Sequence, residues 1–103
     1  MNERIFKYRA VFSKKGEAVY ISHLDVMTLF RRAIRRMGLP FVLTKGFTPR
    51  VKISIPRALK LGAESSAEEA FLFFRSGQEE KALMEGLTAQ FPDGMEVTEI
   101  EPV

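Results

Sequence analysis

Phe41-Val42-Leu43-Thr44-Lys45-Gly46-Phe47-Thr48-Pro49-Arg50-Val51-Lys52-Ile53-Ser54-Ile55 decides the fold, because it holds one strand or two. Residues 41–44 read as a strand and Lys45 to Pro49 as a connecting loop. From Arg50 to Ile55 the alternation is clean: Val51, Ile53 and Ile55 face in, while Arg50, Lys52 and Ser54 face out. Pro56 stops that strand. Upstream, Phe6, Tyr8, Ala10 and Phe12 alternate with Lys7, Arg9, Val11 and Ser13, a half-buried strand over residues 4–13. Lys14-Lys15-Gly16 signals a turn, and Glu17 to Ile21 a short extended stretch. Ser22 then caps a helix with Asp25 in its first turn, where negative charge opposes the helix dipole. Met27, Phe30, Ile34 and Met37 recur at helical spacing, and Gly38-Leu39-Pro40 ends the helix.

Downstream, Arg57 to Ser66 reads as loop, and Glu69 to Arg75 as a core strand carrying Phe71, Phe73 and Phe74. Ser76-Gly77-Gln78-Glu79 matches a capping box, opening a second helix with Leu83, Leu87 and Phe91 inward. Pro92-Asp93-Gly94 turns into a last strand, Met95 to Ile100. The order β-α-β-β-α-β predicts an α+β, ferredoxin-like sandwich, an antiparallel sheet with two helices on one face. One strand is surplus: the β-β step uses either 41–44 with 50–55 or 50–55 with 69–75.

The 103 residues suit one domain with a core of its own. Cys is absent, which excludes disulfides, a thiol nucleophile, Cys-based zinc and any iron–sulfur cluster held by this chain. The lone His23 cannot build a multi-histidine metal site. No cofactor is implied. No apolar run approaches a membrane span, and Met1 to Lys7 lacks the apolar segment of a secretory signal, so a cytoplasmic protein is expected. The net charge of +3 conceals a strong asymmetry. Residues 1–60 hold fourteen Lys/Arg against three acids, and residues 61–103 hold two against ten. That imbalance suggests a basic face for a polyanion; charge complementarity between the two halves is the alternative.

Ser22-His23-Leu24-Asp25 invites a triad reading, but neighbours on one helical turn diverge, and a triad needs side chains converging from separate segments. A capped helix start is the better account, with His23 kept as a lone RNA-contacting or acid/base group. Arg31, Arg32, Arg35 and Arg36 form two like-charge pairs at i,i+4, each costing about 0.2–0.5 kcal/mol. The helix dipole returns about 0.3–1 kcal/mol per cation near the last turn. Stability therefore neither demands nor forbids the cluster. It reads either as a solvated helix end or, with Lys45, Arg50 and Lys52 nearby, as an anion-binding face. Lys45-Gly46-Phe47 matches the start of an RNA-recognition-motif signature, but Thr48 and Pro49 break it. The outward positions of the 50–55 strand also carry no stacking aromatics. Phe47 is open to two roles, base stacking or core anchor. Glu68/Glu69 and Glu79/Glu80 read as solvated carboxylates without partners.

Taken together, Ser22, His23, Leu24, Asp25, Leu29-Phe30, Arg32-Ala33, Arg35-Arg36, Gly38-Leu39-Pro40, Gly46, Phe47, Pro49 and Lys52-Ile53-Ser54 resemble a bacterial radical-SAM-linked domain of unknown function, the DUF2344 family. The similarity spans about residues 4–66, with Thr48 where Asn is usual and Val51 where a second Pro is common. The chain is short for that family, so residues 1–103 would be one domain or the N-terminal part of a longer family domain. Members stand alone, behind radical SAM proteins, or joined to ribonuclease E/G-type proteins. The resemblance thus implies RNA- or ribosome-related work, with any radical chemistry belonging to a partner.

The expectation is an RNA-binding accessory domain, without catalysis of its own, acting on RNA of the rRNA or tRNA class. Arg31, Arg32, Arg35, Arg36, Lys45, Arg50 and Lys52 would contact phosphates, and Phe47 and His23 bases. The alternatives are a protein-docking module for a radical SAM enzyme and an RNA-acting enzyme using His23.

Overall fold

The computed structural model describes residues 4–103; Met1 to Glu3, part of the start read for a secretory signal, lie outside the described residues. Strand β1 (Phe6–Lys14) leads through a 3-10 turn (Gly16–Tyr20) into helix α1 (His23–Arg36). A two-residue strand β2 (Ile53–Ser54), strand β3 (Ser65–Phe74), helix α2 (Glu80–Gln90) and strand β4 (Met95–Pro102) follow. The sheet order is β2-β3-β1-β4, antiparallel throughout, and the two helices pack on it. This is the ferredoxin-like sandwich expected from the element order.

The surplus strand resolves at the sheet edge. Ile53 and Ser54 pair with Leu72 and Phe71 of β3. Further along that edge Phe41 bridges Phe74, Val42 N–H donates to the Phe73 carbonyl (3.2 Å), and Arg75 N–H donates to the Pro40 carbonyl (2.8 Å). The two predicted strands therefore share one edge position, and the chain between them makes an excursion. That excursion closes on itself through the Leu43–Val51 bridge, with Thr44 N–H donating to Arg50 O and Lys52 N–H to Val42 O, both at 2.7 Å. The predicted 50–55 strand shrinks to two residues because Arg50 to Lys52 pair with the excursion's outgoing limb instead of β3. Pro49 and Pro56 also withhold the N–H groups that would extend the ladder.

The core follows the alternation. Ala10, Phe12, Ala70, Leu72 and Phe74 are fully covered by Val26, Phe30, Ala33 and Ile34 of α1 and by Leu83 and Leu87 of α2. Phe30 is the keystone, edge-on to Phe12 (centroids 5.1 Å apart) and to Phe91 (4.8 Å). Val51, Ile53 and Ile55 are buried as read. Ser22 caps α1: its Oγ accepts from Asp25 N–H at 3.1 Å. Gly38, at φ +67°, takes the left-handed conformation that ends the helix.

Several sequence expectations are corrected. Residues 17–20 coil into the 3-10 turn, burying Ala18 and Val19, where an extended stretch to Ile21 was expected; Ile21 alone is extended. β3 begins at Ser65, inside the segment read as loop, because β1 is long enough to pair Lys14 with Ser65. Ser76 does not cap α2; Glu79 does, its carboxylate accepting from Lys81 N–H (3.3 Å) and Ala82 N–H (2.5 Å). Gln78 N–H is taken instead by the Tyr8 hydroxyl (2.7 Å), which ties the segment before α2 to β1. Phe71 and Phe73 are not core. With Leu72 and Phe74 turned inward, they stand half-buried on the opposite, helix-free face of the sheet. Glu69 is partnered as well: Arg9 bridges it to Glu101.

Candidate nucleic-acid interface

The sheet order alternates strands of the basic and acidic halves, with opposite charges left at the two edges and Arg9 of β1 paired to Glu69 and Glu101 of its neighbours. The basic 40–60 segment lies along the β2 edge beside α1, and acidic β4 forms the opposite edge beneath α2. The excursion projects from the basic edge. Residues 45–50 are all exposed, and Phe47 is wholly exposed (109%). Gly46, at φ +129°, makes the turn that presents it. The core-anchor reading of Phe47 is thereby removed. Lys45 and Arg50 flank it, and Thr44 Oγ1 accepts from Arg50 N–H at 3.0 Å, fixing the loop neck.

The four arginines of α1 divide between two sides of the helix. Arg31 and Arg35 face the excursion. Arg31 Nε donates to the Val51 carbonyl at 3.1 Å, and the Arg35 guanidinium lies 5.0 Å from the centre of the Phe41 ring. Arg31 is half-buried, and desolvation followed by the nearby Arg50 charge lowers its pKa from the ordinary arginine value. It stays charged at any working pH. A second cation held close to Arg31 concentrates positive potential at the loop base. Arg32 and Arg36 instead line a cleft of about 290 Å³ with Leu29, Gln90, Phe91 and Pro92, at the C-terminal end of α2. There the helix dipole already supplies negative charge. Lys52 stands apart from all four, on the helix-free sheet face, its Nζ 4.6 Å from the Phe73 ring centre.

His23 has a structural task. Its Nδ1 accepts from Leu59 N–H at 3.2 Å, which holds the 59–62 segment against the start of α1 and leaves the ring proton on Nε2. Gly62 N–H donates to Val19 O (2.7 Å) and fastens the same segment again. Lys14, counted among the basic residues, is buried and donates its ammonium to the Ile21 carbonyl, so it offers no contact to a surface ligand. Among the described residues, no group of His, Cys, Asp or Glu is arranged to hold a metal ion, and no helix is long and apolar enough to cross a membrane.

The residues carrying the sequence pattern now have positions and partners. The model of the DUF2344 family, described as an uncharacterized protein conserved in bacteria, matches residues 7–103. The chain belongs to that family. No curated protein and no solved structure matches it. Of the motif residues, Ser22 and Asp25 make the helix cap, His23 pins Leu59, Gly46 supplies a positive φ and Lys52 covers Phe73. Phe47, fully exposed, packs into nothing.

Sequence reasoning missed Phe71 and Phe73 as surface residues. The signal was present: in a strand whose Leu72 and Phe74 face the core, the residues between must face away.

Proposed function

We propose that this chain is an RNA-binding accessory domain serving RNA processing or modification of the radical SAM or ribonuclease E/G type. The exposed Phe47, between Lys45 and Arg50 on a loop based against Arg31, carries the RNA part of this reading. An aromatic ring in water among cations has the chemistry to stack on an unpaired base while its neighbours take phosphates. The enzymatic context, and RNA of the rRNA or tRNA class, rest on the family resemblance alone. Any radical or hydrolytic step would belong to the partner.

Electrophoretic shift of a labelled single-stranded RNA by the full chain tests the reading. Phe47→Ala should weaken binding about 5- to 150-fold, the worth of one stacked base. Retained wild-type affinity in Phe47→Ala and in a Lys45→Glu/Arg50→Glu variant would refute it.

A protein-docking module is the second reading. Tyr20, Leu24 and Leu61 are exposed apolar side chains on segments joined by the Leu59–His23 and Gly62–Val19 hydrogen bonds. A docking module should ignore RNA and bind a radical SAM partner with little salt dependence.

A further inference from the structure

We propose that the helix-free face of the sheet, centred on Phe71 and Phe73 with Lys7 and Lys52, is a stacking platform for the bases of single-stranded RNA. This rests on the RNA-binding reading and gives it a second contact surface. Phe71 and Phe73 are neighbours on one face of β3, about 7 Å apart along the strand, so each ring can take its own base. β3 and β1 are the two central strands, which makes the platform rigid. Cross-strand pairing sets Lys7 opposite Phe73, and the Lys7 ammonium lies 4.7 Å from the centre of the Phe71 ring. Lys52 lies 4.6 Å from the Phe73 centre. Each half-buried ring thus carries a flexible, strongly hydrated ammonium, and Arg9 stands opposite Phe71 on the neighbouring strand.

A surface contact between lysine and a ring is weaker than a base stacked on it. An arriving base can therefore displace each ammonium, which needs only to swing to the adjoining phosphate. Charge complementarity selects the occupant. The basic side of this face takes a polyanion, and its far side is fenced by Glu101 of β4, which together with Glu69 of β3 already holds Arg9. A strand lying on Phe71 and Phe73 is thereby steered toward the β2 edge. Lys52 is the end of the excursion that carries Phe47, so the platform and the loop are consecutive stations along that edge. Sheets that present aromatics in this manner stack two or three bases and leave the phosphates to side chains at the margin.

The test uses the full chain and an eight-nucleotide single-stranded RNA carrying 2-aminopurine, whose fluorescence is quenched when it stacks on a ring. Binding of the wild-type chain should quench it. Phe71→Leu and Phe73→Leu keep apolar bulk but remove the ring; each should weaken binding about 5- to 150-fold and reduce the quench. Phe73→Tyr should retain both, with circular dichroism reporting the folded state of every variant. If the wild type binds this RNA without quenching, or the folded leucine variants bind equally well, the platform is refuted while RNA binding stands. If a polyglutamate peptide displaces the RNA at equal charge concentration, the face reads charge alone and the platform is again refuted. Absence of any RNA binding by the folded wild type overturns both readings together.

Discussion

Arg31 and Phe30 are adjacent, and the structure gives each a separate structural task. Phe30 is fully buried between Phe12 and Phe91, so Phe30→Ala should cost about 3–5 kcal/mol in chemical denaturation. A loss under about 1 kcal/mol would mean that the cavity collapses or that the helix face is wrong. Arg31 read in the sequence as one of four equivalent surface cations, yet it is the one whose Nε donates to the carbonyl of buried Val51. Arg31→Met keeps much of the apolar stem and leaves that carbonyl without its donor. The expected cost is about 1–3 kcal/mol, with faster amide exchange over residues 43–51 than over β3. Unchanged exchange in the excursion would show that the Leu43–Val51 bridge holds it unaided. What could not be read from the sequence here is rotation: residues 31, 32, 35 and 36 share a charge but not a side of the helix, and only the packed neighbours say which pair meets the loop.

At the scale of elements, helix starts separate what the sequence carried from what it concealed. Ser22 was legible as a cap, since it precedes an apolar periodic run and places an acid three residues on. Ser22→Ala should cost about 0.5–2 kcal/mol. The start of α2 was misread because Ser76 and Glu79 satisfy a capping-box pattern that Tyr8, distant in sequence, pre-empts by accepting from Gln78 N–H. Thermal or chemical denaturation should show Glu79→Ala losing about 0.5–2 kcal/mol and Ser76→Ala less than about 0.5 kcal/mol. The reverse ranking would restore the capping box. The strands tell the same story. Alternation identified β1 and the inward set Val51, Ile53 and Ile55, because burial on one face imposes period two. It could not reveal that residues 40–42 and 53–54 share one edge, since pairing partners are a long-range property. Nor does the extension of β3 back to Ser65 carry an apolar signature: Ser65 to Glu69 pair with β1 through the backbone ladder and the Arg9–Glu69 ion pair.

For the molecule as a whole, the decisive feature is the opposite charge of the two sheet edges. The sequence halves were plainly basic and acidic, but the consequence depends on topology. Order β2-β3-β1-β4 sends the basic 40–60 segment to one edge and acidic β4 to the other, while the two central strands alternate in origin, β3 from the acidic half and β1 from the basic half. Part of the candidate site was therefore legible, as Lys45, Phe47, Arg50 and Lys52 on one segment. Phe71 and Phe73 were not, because three phenylalanines in a short run invite a core assignment before the strand's facing is known. Under the proposed function, the basic edge binds single-stranded RNA largely through its phosphates. The most direct measurement is the affinity of labelled RNA for the full chain across a series of salt concentrations. With about six cations each neutralising a phosphate, log K should fall against log salt with a slope near about −4, and Lys45→Glu/Arg50→Glu should flatten it by roughly 1 to 2. A folded chain with no measurable RNA affinity at low salt would contradict the claim.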